Sequence, residues 1–157
     1  MLVISGCGYS TSTALLPSHL KTIAIPVFGN STTETTIEQQ ITEAVIARFV
    51  ADNHLRVVDE RSADSILRGR VAAYRNSVFG FSNTTEAQEY RVTIVVDVTL
   101  KDTVKNREMW SEPAMAKTAN YYVVNVPGQT ARTELDGRKE AIDKIAEEIV
   151  NRTVESW

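Results

Sequence analysis

Few residues of this chain have the types and spacing that catalysis or metal binding requires. The two histidines, His19 and His54, have no second metal ligand and no nucleophile at motif spacing. The serines and threonines at 10–13 and 31–36 lack a Gly-x-Ser-x-Gly context, and no glycine-rich phosphate loop is present. We therefore expect no catalytic site, no metal site and no cofactor, and we interpret both histidines as solvated.

The single cysteine, Cys7, is the residue best suited to covalent chemistry. One cysteine cannot form an internal disulfide or a cysteine-based metal cage. Ile4-Ser5-Gly6-Cys7 resembles the lipobox of bacterial lipoproteins, whose cysteine becomes the lipidated N-terminus after signal cleavage. Stable anchoring needs more than one acyl chain, which a triacylated cysteine would supply. The alternative is an unmodified thiol, which would be a liability near an exposed terminus.

The stretch before Cys7 is too short for a complete secretory signal. Only three apolar residues precede the two small ones, whereas a signal core has about 7–15. Either the start codon is misassigned or upstream residues are missing. We predict a residual signal peptide at 1–6, a lipidated tether at 7–20 and a single domain at 21–157.

Composition favours one folded domain that does not bind nucleic acid. A chain of 157 residues, 43% of them hydrophobic and 24% charged, is typical of a globular protein with one core. The formal net charge of −3 and the lack of a long Lys/Arg run give no attraction to nucleic acid. An anionic ligand would have to bind a small basic cluster.

Hydrophobic periodicity predicts an α+β fold, with two helices packed on one face of a mixed, mostly antiparallel four- to five-stranded sheet. Pro113 indicates an edge or a bulge in the last strand, and Thr35 or Thr36 is placed to cap the first helix. Arg68 and Asp97 are expected to form a cross-strand ion pair worth only about 0.2–1 kcal/mol. The predicted strands are 21–28, 55–58, 65–74, 89–101 and 108–118, and the predicted helices are 36–52 and 136 or 137 to near the end.

Six short segments share their order and spacing with one known family. They are Cys7-Gly8-Tyr9, Leu16-Pro17-Ser18-His19-Leu20-Lys21-Thr22-Ile23-Ala24-Ile25-Pro26, Leu55-Arg56-Val57-Val58, Ala63-Asp64-Ser65-Ile66-Leu67-Arg68-Gly69, Glu89-Tyr90-Arg91-Val92-Thr93-Ile94 and Arg107-Glu108-Met109-Trp110. Together they resemble the LptE family of lipopolysaccharide-assembly outer-membrane lipoproteins, from Cys7 to Trp157. The resemblance implies a protein anchored to the inner leaflet of the outer membrane and folded on the periplasmic side. Its partner would be the LptD barrel, which it helps fold and plug while lipopolysaccharide is delivered to the surface.

Four cations are candidate contacts for the phosphates of lipopolysaccharide. Lys101, Lys105 and Arg107 surround the turn between the two last strands, and Arg132 lies in the loop before the final helix. Guanidinium groups suit phosphate because they offer paired donors. The alternative is that all four are ordinary solvated loop charges.

Two aromatic residues, Phe79 and Phe81, lie in a segment at 77–83 that we interpret as the loop between two long strands. Aromatic side chains at a loop tip can insert into a partner or a lipid, or they can fold back over the end of the sheet. The segment 121–124, placed after the last strand, has the same two interpretations. Trp110 and Trp157 are more typical of packing than of recognition.

These observations favour a non-enzymatic binding protein whose partners are an LptD-like β-barrel, lipopolysaccharide and, through its lipid anchor, the outer membrane. One alternative is a structural lipoprotein subunit of a secretion pore or of another envelope complex, because similar opening strands occur in such domains. The other is an envelope hydrolase, which would need a nucleophile or metal cluster that we do not find.

Overall fold

A computed structural model describes residues 16–81 and 87–155. Cys7, most of the predicted tether and Trp157 lie outside the described residues. The elements are β1 (Thr22–Ala24), β2 (Gly29–Asn30), α1 (Ile37–Asp52), β3 (Arg56–Val57), β4 (Ser65–Phe81), β5 (Ala87–Asp102), β6 (Arg107–Tyr122) and α2 (Glu134–Glu155), with a short 3₁₀ helix at Glu60–Ser62.

The strands form one mixed sheet, in the order β3-β1-β4-β5-β6, with β2 beside β4. The short strands pair in parallel, and β4, β5 and β6 pair antiparallel. The predicted α+β class is confirmed, with six strands where four to five were expected. The predicted strand at 21–28 is shorter than expected, because β1 ends at Ala24, before Pro26, whose nitrogen cannot donate a ladder hydrogen bond, and β2 begins only at Gly29.

The core lies between the helices and one face of the sheet. In β5, every second residue from Val92 to Leu100 is buried, and the residues between them are partly exposed, as the alternation predicted. Helix α1 buries the predicted four-residue repeat, and α2 packs on β5 and β6. The fully buried helical side chains include Ile37, Ile41, Val45, Phe49, Ile145 and Ile149.

Two strands are longer than the sequence patterns predicted. Strand β4 continues to Phe81, so residues 77–81 are strand and the predicted loop is wrong there, whereas 82 and 83 lie outside the described residues. Pairing of Ser77 with Arg91 carries the ladder through a polar stretch, because backbone hydrogen bonding does not depend on side-chain polarity. Strand β6 likewise includes Tyr121 and Tyr122, which were expected to follow it.

The helix ends differ in how they are capped. Thr36 is the N-cap of α1, but its φ of 68° holds it in the left-handed region and its side chain makes no capping hydrogen bond, so the predicted cap is wrong. Asn53 ends α1 as predicted, and its amide donates to the Phe49 carbonyl. Helix α2 begins at Glu134, before the predicted start, because Thr133 and Asp136 cap it reciprocally.

The predicted ion pair between Arg68 and Asp97 is wrong by two residues in the register. Arg70 lies opposite Asp97 and its guanidinium is 2.6 Å from that carboxylate, whereas Arg68 bonds Glu60. The predicted irregularity at Pro113 is confirmed. The ladder slips there, Ala114 has φ 55°, and the Ala114 amide donates to Asp97. This amide first, and then Arg70, hold the pKa of Asp97 below its usual range.

His19 is not simply solvated, which corrects the interpretation made from the sequence. Its Nε2 lies 2.7 Å from Oδ2 of Asp102, a fully buried carboxylate at the end of β5. Burial raises the pKa of Asp102, but hydrogen bonds from the Lys105 amide and from His19 outweigh it, and the pKa lies below its usual range. His54 is mostly exposed and contacts Asp52.

We expect Gly69→Ala to lower the free energy of unfolding by about 1–3 kcal/mol, because overpacking forces a well-packed core to shift. Gly69 faces inward, and a Cβ there would overlap the ring of buried Phe28. Urea unfolding would measure the change. Gly29→Ala is the matched control, since its Cβ would meet only ordinary contacts. Equal midpoints for the two variants would contradict the close packing of Gly69 and Phe28.

We expect the stabilising effect of Asp102 to depend on pH. Because its pKa is lowered in the folded chain, its contribution is present above the unfolded value of about 4 and is lost as pH falls further. Asp102→Asn should therefore be less stable than the parent at pH 7, with the difference shrinking below about pH 4. Asp52→Asn, which removes only the local contact with exposed His54, should change stability by less than about 1 kcal/mol. A gap between parent and Asp102→Asn that stays constant from pH 7 to pH 3 would contradict this role.

Candidate functional site

Three of the candidate cations meet at one hairpin turn. Lys101 lies near the end of β5, Lys105 in the turn and Arg107 at the start of β6, and all three are exposed. None forms an ion pair with another residue of 16–81 or 87–155. The turn is fixed by Asp102, whose Oδ1 accepts the Lys105 amide at 2.9 Å. We call Lys101, Lys105 and Arg107 the cationic turn.

A shallow groove of about 280 Å³ adjoins the cationic turn on the sheet face that the helices leave uncovered. Cross-strand pairing builds it, because Ile66 lies opposite Lys101 and Arg68 opposite Thr99. Sequence reasoning missed Ile66, Arg68 and Thr99 as companions of Lys101, although strand alternation places all of them on the outer face. The full lining is Ile66, Arg68, Thr99, Lys101, Thr103 and Asn106.

Arg132 does not join the other candidate cations. Its Nη1 lies 2.7 Å from the Glu140 carboxylate, and its Nη2 donates to the Asp136 carbonyl at the start of α2. Its backbone amide donates to the Tyr122 carbonyl, which places it at the other end of the sheet. Its charge is therefore already paired.

Phe79 and Phe81 lie at the end of the sheet opposite the cationic turn. Phe79 is 49% exposed, and the Arg91 guanidinium lies 3.5 Å from its ring centroid, whereas Phe81 is 66% exposed. Val78 and, after β6, Val123 and Val124 are also exposed at this end. We call Val78, Phe79, Phe81, Val123 and Val124 the apolar end.

The two groups of candidates are too far apart to bind one small group. Ser65 pairs with Asp102 at the cationic turn and Phe81 pairs with Ala87 at the apolar end, so the 17 residues of β4 separate them. At about 3.3 Å per residue this is roughly 55 Å along the strand. The molecule therefore presents two distinct candidate surfaces.

A polar network between β4 and α2 is already satisfied by internal bonds. Tyr74 donates to Glu134 at 2.5 Å, and Arg138 bonds both Glu134 and Glu34. Burial and then the Glu134 contact raise the pKa of Tyr74 to about 12. These groups contact one another and therefore hold the start of α2 on the sheet.

Residues 16–81 and 87–155 contain neither a metal-binding cluster nor a membrane-spanning helix. No group of three or more His, Cys, Asp or Glu side chains in 16–81 and 87–155 is arranged to bind a metal ion. No helix in the same ranges is long and apolar enough to cross a membrane.

Several solved structures share this fold at low sequence identity. The hypothetical protein CT253 from Chlamydia trachomatis matches with a TM-score of 0.59 and 9% identity, over 85% of this chain and 95% of that one. A minor lipoprotein from Acinetobacter baumannii matches with a TM-score of 0.54 and 15% identity, over 85% and 91%. The rare lipoprotein B from Shewanella oneidensis has a TM-score of 0.50 and 18% identity, over 82% and 91%. These matches establish similarity of fold.

The sequence identifies the family. No curated protein sequence matches significantly. The family model described as lipopolysaccharide-assembly, LptE, matches residues 20–153, which span the domain from before β1 to near the end of α2. The chain therefore belongs to the LptE family of lipopolysaccharide-assembly proteins.

Proposed function

We propose that this protein is a lipid-anchored outer-membrane assembly factor that binds and plugs an LptD-like β-barrel and assists lipopolysaccharide insertion at the cell surface. The observation that carries the proposal is the family match over residues 20–153, which covers both candidate surfaces. The protein acts by binding, without catalysis and without a cofactor. Its folded domain lies on the periplasmic side of the membrane.

The uncovered face of the sheet supports this function because it is large and polar. Along β5 it carries Arg91, Thr93, Asp97 and Thr99, all partly exposed, while the opposite face packs on the helices. The water-filled interior of a large barrel is polar, so a polar face is suited to contact its wall.

The first described residues of the domain lie beside the cationic turn, within reach of Cys7. Leu16 packs against the core, and His19 is bonded to Asp102 beside the cationic turn. The nine peptide steps from Cys7 to Leu16 reach roughly 30 Å when fully extended. A lipid on Cys7 would therefore keep the cationic turn close to the bilayer surface.

The two candidate surfaces have different proposed ligands. Lys101, Lys105 and Arg107 are unpaired within the described chain and contact the phosphates of lipopolysaccharide, because ionised donors form the stronger hydrogen bonds to phosphate. Phe79 and Phe81 contact the barrel or the acyl chains of the glycolipid. Arg132, whose charge Glu140 neutralises, holds the loop before α2 and is the weakest candidate contact.

We expect the barrel protein of the source bacterium to co-purify with this chain from detergent-solubilised outer membranes, and the purified chain to begin with an acylated Cys7. Affinity purification with mass spectrometry of the barrel and of the N-terminal peptide would measure both. Cys7→Ser should lose the acyl mass and the membrane fraction but keep the fold. Recovery of acylated protein with no barrel would contradict the assembly role, and an unmodified Cys7 would contradict the anchor.

We expect Lys101→Glu combined with Lys105→Glu to weaken binding to lipopolysaccharide by at least about tenfold, because two charge-assisted hydrogen bonds are lost. Binding of purified protein to lipopolysaccharide and to its dephosphorylated form, measured at several salt concentrations, would test this. Lys139→Glu, at an exposed position of α2, is the control for charge reversal. If the double variant binds as well as the control, or if dephosphorylation has no effect, the cationic turn is not the phosphate site.

A further inference from the structure

Strand β4 has one edge that is open for much of its length. On the side away from β5 it pairs with β1 at Ser65 and Ile66 and with β2 at Arg70 and Val71. Beyond Val71, no strand within 16–81 and 87–155 pairs with this side. A strand edge without a partner leaves its outward N–H and C=O groups available to another chain.

The open edge includes a regular segment between two irregularities. The register with β5 slips between Val71 and Ala73 and again after Val78, and it is unbroken from Ala73 to Val78. We call Ala73–Val78 the distal β4 edge. Its length of roughly 20 Å is that of one ordinary strand.

The distal β4 edge is accessible from both faces of the sheet. The five consecutive residues from Arg75 to Phe79 are all exposed, although successive side chains of a strand point to opposite faces. Near the start of α2, Arg138 packs on the Tyr74 ring and Gly137 on the Tyr121 ring. Glu134 bonds Tyr74 and Asn76. A partner strand would therefore meet α2 at Tyr74 and Asn76, whereas Ser77 and Val78 lie beyond these contacts.

The other long edge of the sheet is more strongly protected than this one. Strand β6 carries Pro113, a bulge at Ala114 and Lys117, which are common devices against edge pairing. The distal β4 edge has no proline and only one charged residue, Arg75, and the irregularities of β4 lie outside it. A weakly protected edge is a liability for a protein that works alone, which favours an occupant at this edge.

The side chains of the edge indicate the chemistry of that occupant. Arg75 is exposed and has no ionic partner in the described part of the chain, so a facing carboxylate would complement it. Exposed Val78, next to Phe79 of the apolar end, suits an apolar residue further along the same segment. The strands of a closed barrel already pair on both sides, so such a segment would come from a loop or a terminus of the barrel chain.

We propose that the distal β4 edge pairs, through main-chain hydrogen bonds, with an extended segment of the barrel partner that places a carboxylate side chain beside Arg75. This inference rests on the proposed function, since the barrel is the partner. It adds the mode of binding, in which the sheet gains a strand.

Hydrogen exchange on the full-length lipidated protein, alone and co-purified with the barrel of the same bacterium, would test the pairing directly. Alternate amides of 73–78 should exchange freely in the isolated protein and become protected in the complex. A photoreactive side chain at Val78 should cross-link to the barrel, whereas one at Val50, a more exposed valine of α1, should not.

Two variants test whether the distal β4 edge contributes to the affinity for the barrel. Val78→Lys adds a charge of the kind that protects natural edges, and it should weaken barrel association by about tenfold, whereas Val78→Thr and Val50→Lys should not. Arg75→Glu should weaken it as well, with Arg61→Glu as the control for reversal of an exposed arginine. Unchanged urea midpoints would show that each variant is folded, and if Val78→Lys is not, Arg75→Glu decides the question.

The possible failures can be told apart. If the barrel co-purifies but the amides of 73–78 exchange as in the isolated protein, strand pairing is wrong and the proposed function stands. If no barrel co-purifies with the parent protein, the proposed function is wrong, and strand pairing with the barrel is wrong as well. If the amides are protected without the barrel, the occupant is a segment of this chain, and if protection rises with protein concentration it is a second copy. Either result overturns a barrel segment as the occupant.

Discussion

The antiparallel ladder of β4, β5 and β6 is the constraint on which the remaining structure depends. These strands have 17, 16 and 16 residues, and α1 and α2 have 16 and 22. A strand advances about 3.3 Å per residue and a helix about 1.5 Å, so the strands span roughly 50–55 Å and the helices roughly 24 and 33 Å. Because α1 and α2 pack side by side, they leave part of the length of the sheet uncovered. Part of it must extend beyond the core with both faces in water.

The border between the covered and uncovered parts of the sheet is marked by a polar network. Tyr74, Glu134, Arg138 and Glu34 bond one another where α2 begins, and Asn76 and Tyr121 bond beside them. Because these partly buried groups satisfy one another, they avoid the penalty of unpaired polar atoms at the end of the core. The network therefore fixes how far the ladder extends beyond the helices.

At the opposite end of the sheet, the carboxylates of Asp64 and Asp102 accept hydrogen bonds from backbone amides and so join separate segments of the chain. Asp64, from the segment Ala63–Gly69 that carries part of the family resemblance, accepts hydrogen bonds from the amides of Lys21 and Thr22 and from the Thr22 hydroxyl. The Lys21 amide first, and then the Thr22 hydroxyl, hold its pKa below the usual range. Asp102 joins the hairpin turn to His19. The start of the domain is thereby held against the cationic turn.

Features that depend on one buried face could be predicted from the sequence, and features that depend on register could not. The alternation in β5 and the four-residue repeat in α1 were sufficient to predict which residues are buried. An apolar residue on the solvent face would lose the free energy of burial. The extension of β4 past Tyr74 was missed because residues 75–77 are polar and only pairing with β5 makes them strand. Arg68 was predicted as the partner of Asp97 in place of Arg70, because the register is set by the pairing of β4 with β5, which composition does not reveal.

The same distinction applies to the candidate site. Lys101, Lys105 and Arg107 could be grouped because a single turn brings them together, whereas the groove beside them needs a second strand. The ion pair of Arg132 was not predicted because its partner, Glu140, lies two turns into a helix whose start was placed too late. His19 was misjudged because Asp102 is 83 residues away in sequence. Contacts between distant segments were therefore the main source of error.

The length of the ladder also limits which ligands the two candidate surfaces can share. A cationic turn and an apolar end separated by roughly 55 Å cannot both bind the head group of one glycolipid. The end that lies within reach of the tether is polar and charged, and the end far from it carries the aromatic residues and the open strand edge. The proposed contact with phosphates is therefore near the proposed anchor. The proposed contact with the barrel is at the far end, where an uncovered strand can bury its exposed backbone groups and apolar side chains against the same partner.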